Sequence, residues 1–143
     1  MSRFKKISLL LLLIILAGLT PSCNLLLVAV KNVPTFFEAP RKVKNKITQP
    51  IKPDVRLSAL WIGHATVLLQ MDDKVIITDP FLSETAGEFA RRVVEPGIDP
   101  KNIPACDVIL ISHSHFDHLN LSSIEFLAEK NNKAALIFPE DCE

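Results

Sequence analysis

Residues 107–112, Asp-Val-Ile-Leu-Ile-Ser, are apolar at every position except the two ends. Such a run fits a short strand buried on both faces, as in sheets covered on either side. His-Ser-His-Phe-Asp-His, residues 113–118, follows directly and holds three of the chain's four histidines. Layered folds of sheet and helix place their ligand sites outside such strand ends. The pairing of buried strand and polar tail therefore predicts a layered α+β body with a site at the carboxyl end of this strand.

The neighbouring sequence supplies the rest of a sheet. Residues 57–63 (LSALWIG), 66–71 (TVLLQM) and 75–78 (VIIT) read as strands. Asp72-Asp73-Lys74 is a polar turn, so the second and third strands form a hairpin. Residues 79–104 are a long connection with one short helix near Glu84–Val93, and a loop of this length is often functional. Ser122 with Glu125 three residues later gives a capping box, so a helix starts there, with Ile124, Leu127 and Ala128 on its apolar face. Residues 134–138 (AALIF) are a further strand, ended by Pro139. Trp61 is expected in the core, and Cys106 at the edge of the buried strand.

Charge divides the chain. Its net charge is zero, but residues 1–56 carry ten Lys/Arg against two acids, and residues 57–143 carry six against fourteen. An acidic body excludes nucleic acid as its partner. Cys23, Cys106 and Cys142 form no close pair and are odd in number, which speaks against a disulfide framework.

Arg3, Lys5 and Lys6 precede an uncharged stretch from Ile7 to Val30. A charged front and an apolar centre are the marks of a secretory signal. Small residues before Cys23 make that cysteine a candidate for lipidation, although Thr20 stands where such signals usually carry leucine. The alternative is an uncleaved membrane helix, for which about 20 apolar residues suffice. Both make residues 1–30 a signal peptide or anchor and the protein exported and membrane-associated. Residues 31–56, with prolines at 34, 40, 50 and 53, read as a basic linker, either solvated or touching anionic head groups. Residues 57–143 are the body.

His113, His115, Asp117 and His118 form H-x-H-x-D-H. Imidazole nitrogen and carboxylate oxygen suit zinc and its transition-metal neighbours. The H-x-H pair turns alternate side chains the same way, toward one ion, and Asp117 and His118 can face a second. Two ions about 3.5–4 Å apart acidify a shared water and steady developing charge.

The stretch SHSHFDHL resembles the signature of the metallo-β-lactamase fold superfamily. With WIGHATVLLQMDDKVIITDPFLS, the arginine-rich segment, PGI and DVILISHSHFDHLN, the likeness runs from about Leu57 to Phe138. It points to the N-acyl-phosphatidylethanolamine phospholipase D branch and its lactonase-like relatives. The resemblance implies the N-terminal half of an αβ/βα sandwich. It implies two zinc ions, His113 and His115 on the first, and Asp117 and His118 on the second, with Asp117 in the catalytic set. It makes Asp79 a residue supporting a ligand from behind. His64 matches the histidine of the G-H-A-T segment, and a structural role is the simpler reading of it. Arg91 and Arg92 are either solvated surface or partners of a substrate phosphate.

The family pattern continues for about as long again, and its later half brings three further ligands. No histidine lies beyond His118. The expectation is therefore an N-terminal portion that would expose the sheet face its second half covers. It would work with a complementary C-terminal half, or else be inactive. The implied activity is hydrolysis of a phosphodiester in an N-acylated ethanolamine phospholipid. The alternatives are a lactone or other small ester substrate, and a fragment that only binds a partner.

Overall fold

The computed structural model describes residues 38–140 apart from 88 and 89. The leader and Cys23 lie outside the described residues, as does Cys142. Among the described residues no helix is long and apolar enough to cross a membrane.

Five strands form one sheet in the order β1-β2-β3-β6-β7. They are β1 (Leu57–Gly63), β2 (Thr66–Met71), β3 (Lys74–Thr78), β6 (Val108–Leu110) and β7 (Ala135–Ile137). β1, β2 and β3 are an antiparallel meander, whereas β6 joins β3 in parallel and β7 joins β6 in parallel. The parallel joins need crossovers, and helix α1 (Leu121–Lys130) supplies the one from β6 to β7.

Registry puts Leu68, Ile77 and Ile109 side by side on one face of the sheet. All three are buried, and Leu127 of α1 closes over them together with Ile62, Ile98, Ile103 and Cys106. The other face carries Trp61, Val67, Leu69, Ile76, Leu110 and Ile137, none of them fully buried. The run at 107–112 is thus covered on one side only: Ile109 is 2% exposed and Leu110 is 37% exposed.

Three other expectations change. Residues 84–93 hold no helix but a small antiparallel pair, β4 (Thr85–Ala86) and β5 (Ala90–Arg91). Gly87, at φ 61°, makes the turn after β4, and the Phe116 ring lies against it. The helix cap is Asn120 rather than Ser122, since the Asn120 side chain accepts from the Ser123 amide. The supposed linker is part of the body from Ala39 onward. Arg41 and Ile47 pair in parallel with Val94 and Ile98. Lys46 bonds Asp99 at 2.8 Å and Glu95 at 3.1 Å. Gln70 clamps the backbone N–H and C=O of Lys52, both at 2.9 Å. Paired backbone and spent charge make this segment a strap on the domain.

Candidate metal centre

The site lies where the parallel neighbours β3 and β6 both end. Asp79 follows β3 with a left-handed backbone, φ 40°. Two bonds fix that turn: the Asp79 amide donates to Leu110 O at 2.8 Å, and Thr66 Oγ1 donates to Asp79 O at 2.7 Å. The buried Asp79 carboxylate then reaches across to β6. Its Oδ1 accepts from the Ser112 amide at 2.7 Å and its Oδ2 from Ser112 Oγ at 2.8 Å.

Past Ser112 the chain makes one tight turn, with the amides of His118 and Leu119 both donating to His115 O. That turn carries His118 back over the strand ends, where its Nδ1 stands 3.0 Å from Asp79 Oδ2. An Nδ1 proton shared with a carboxylate leaves the Nε2 lone pair outward, the tautomer a metal needs. Burial pushes the Asp79 carboxyl up, but the bonds from His118 and Ser112 outweigh it and hold the group below the usual carboxylate range.

The third element is the β1–β2 turn. The register of β1 shifts between Trp61 and Gly63, and Gly63 and His64 both take positive φ. A non-glycine residue held there is strained and is found where surrounding contacts over-determine it. Here the Trp61 indole N–H holds the His64 carbonyl at 2.8 Å. Trp61, expected in the core, is 70% exposed because strand alternation turns it to the open face of the sheet.

His64 Nε2 lies 2.8 Å from Asp117 Oδ2, and His118 Nε2 lies 3.8 Å from the same oxygen. The three residues offer ligand atoms all within 4.8 Å of one another. Two imidazoles and a carboxylate are a donor set that fits zinc. Burial raises the Asp117 carboxyl, but its own amide and the neighbouring His118 and His64 bring it below the usual range, so it is ionised and ready to ligate.

His113 and His115 form a second pair beside this cluster. His113 Nε2 is 3.1 Å from His115 Nδ1, and the His113 ring centroid is 3.9 Å from that of His118. The four residues of the H-x-H-x-D-H stretch therefore come together, with Asp79 behind His118. Reasoning from sequence gave His64 a structural or substrate role rather than a place in the cluster, which comes from a turn 50 residues away in sequence, and it assigned no site role to Ser112. Only the positive-φ turn could have revealed the first, and it is not visible in composition.

A cleft of about 610 Å³ opens beside the cluster, with Trp61, His64, Phe81, Arg91, Arg92 and Asp117 in its walls. Arg91 stands 3.9 Å from Glu84. Arg92 is buried, and its guanidinium donates to the carbonyls of Val94, Phe81 and Ser83. Solvated surface, one of the two readings of Arg91 and Arg92, does not describe Arg92.

A family model described as a beta-lactamase superfamily domain matches residues 59–136, more than half of the chain. The chain belongs to the metallo-β-lactamase superfamily. Similar superfamily proteins include the N-acyl-phosphatidylethanolamine-hydrolyzing phospholipase D 1 of Caenorhabditis elegans, 31% identical over 58% of this chain and 24% of the worm protein. A metal-dependent hydrolase of Thermodesulfovibrio yellowstonii is 34% identical over 51% of this chain and 25% of its own. A crystal structure of isothiocyanate hydrolase from Delia radicum gut bacteria aligns with a TM-score of 0.40 at 20% identity, over 57% of this chain and 39% of that one. The matches span no more than a quarter of the first curated relatives' length. The mixed sheet described above is that of a partial metallo-β-lactamase domain, and the Thermodesulfovibrio yellowstonii relative is described as a metal-dependent hydrolase.

Proposed function

We propose that the protein is a zinc-dependent phosphodiesterase acting on N-acyl phosphatidylethanolamine-type phospholipids at a membrane. The observation that supports this most is the meeting of an Asp79-braced His64–Asp117–His118 cluster with an open cleft. The likeness to the worm phospholipase D supplies the substrate class. A divalent ion bound there supplies Lewis-acid polarisation of a phosphoryl oxygen and acidifies water. The chain's own residues prepare that chemistry. Asp79 fixes the His118 tautomer, His64 steadies the Asp117 carboxylate, and Asp117 would hold the ion beside the reacting atoms. His113 and His115 offer two donors toward a second ion, to be completed by a complementary C-terminal half. Residues 1–30 would hold the assembly at its lipid substrate.

The test is to join the 143-residue chain to a complementary C-terminal half, add zinc, and measure bound metal by mass spectrometry. Release of N-acylethanolamine from mixed micelles is followed alongside opening of a sugar lactone. The expected result is bound zinc and diester cleavage that stops on chelation. Lactone opening without diester cleavage would replace the substrate in this reading. Bound metal with neither activity would overturn it.

A further inference from the structure

Arg92 is a buried cation at 9% exposure, and no carboxylate lies within 4.0 Å of it among the described residues. Glu95 is the acid whose field reaches it, but the Glu95 carboxylate is bonded to Lys46. The guanidinium is held rigidly. Nε donates to Val94 O at 2.6 Å, Nη1 donates to Phe81 O at 2.8 Å and to Ser83 O at 3.2 Å, and the group lies 4.7 Å from the Phe81 ring centroid. Nη2 makes no hydrogen bond to the described residues, and it is not sealed from solvent, since no unpaired side-chain polar atom is fully buried. It stands 3.6 Å from where a Cβ on Gly63 would lie, in the wall of the cleft that also holds His64 and Asp117.

We infer that Arg92 anchors a phosphate-type oxyanion group of the substrate, received at Nη2 in the cleft beside the His64–Asp117–His118 cluster. A buried charge without a counter-ion is costly, and a bound oxyanion supplies that counter-ion. Three bonds to carbonyls pre-orient the fork, so little freedom is lost when the ligand arrives. Gly63 borders Nη2, and a Cβ there would lie in van der Waals contact with it. Arg91 lines the same cleft but is less buried and already faces Glu84. The inference rests on the phosphodiesterase reading for the identity of the group, but not for the existence of an anion subsite, which needs no metal.

The chain has a single tryptophan, Trp61, exposed in the same cleft, so its fluorescence reports binding. The metal-free full chain is titrated at constant ionic strength with inorganic phosphate and with a short-chain phosphatidylethanolamine below its micelle concentration. A saturable change is expected with both. Arg92→Met should weaken it about tenfold or more, the scale of a lost charged hydrogen bond, and Arg91→Met by less than about twofold. Arg92→Met also removes three structural bonds, so the wild type is read independently through its arginine side-chain nitrogen resonances, one of which should shift with phosphate. A folded wild type that shows neither a saturable response nor a shift overturns the inference. A response to inorganic phosphate alone overturns its assignment to the substrate's diester. Phosphate binding in a chain that takes up no zinc would instead defeat the hydrolase reading and leave the subsite standing.

Discussion

Asp79 receives the Ser112 amide, the Ser112 hydroxyl and the His118 ring on one buried carboxylate. Replacing it by asparagine keeps the shape and removes the charge that fixes the His118 tautomer. Asp79→Asn should lower metal affinity about 10- to 100-fold, the usual cost of losing a partner behind a metal-bound histidine. Competition against a chromophoric chelator measures this, and an unchanged affinity would show that Asp79 serves only the fold. Cys106 makes the opposite kind of case. Burial, its main cause, pushes this thiol up to about 11. At pH 8 it is a neutral thiol 1% exposed to solvent. Thiol reagents should leave Cys106 untouched in the folded chain from pH 7 to 9 and modify it on denaturation, as peptide mapping would reveal.

Among the elements, α1 shows how far local signals reach. Its body was legible from Ile124, Leu127 and the polar residues between them, because apolar period alone decides which face packs. Its start was not, because Ser122 and Asn120 are both good caps and the choice is made by tertiary contact. Asn120 Oδ1 accepts from Ser83 Oγ at 3.1 Å, a residue 37 positions away, as well as from Ser123. Asn120→Ala should therefore cost about 1–2 kcal/mol, seen as a fall of several degrees in the melting temperature. The bounds of β1 and β2 were legible from their apolar runs, but which face packs was not, since Trp61 faces out while Thr66 and Gln70 are buried. The stretch at 84–93 was not. Nothing local announces that Gly87 will turn left-handed under Phe116, or that Arg92 will bind three carbonyls. Among the site residues, the H-x-H-x-D-H stretch could be read because its members are near in sequence. His64 could not, because a turn in another part of the sheet delivers it.

At the scale of the molecule, the sheet has one covered face and one open one among the described residues. Leu110, Ile137 and Trp61 are 37%, 51% and 70% exposed on the open side. An apolar face of this kind marks an interaction surface or an aggregation hazard. The 143-residue chain alone should bind the dye ANS in its native state and elute from a sizing column above its monomer mass, increasingly so at higher concentration. Ile137→Lys, on the edge strand, should reduce that self-association without lowering the melting temperature by more than about 2 °C, since an exposed edge charge removes few contacts. A monodisperse monomer that ignores the dye would show the face to be harmless.

The join between β3 and β6 also has a consequence in time. β1, β2 and β3 are a meander of near neighbours, whereas β6 arrives after a connection of about 30 residues. Closing a long loop is slow relative to zipping a hairpin. Asp79 and Ser112 stand on opposite sides of that seam, so their mutual bonds form only once it closes. The donors on the two sides thus remain apart in a half-folded chain. Metal uptake should appear as a late kinetic phase that follows the recovery of secondary structure during refolding, and a chain caught before closure would have little to offer an ion.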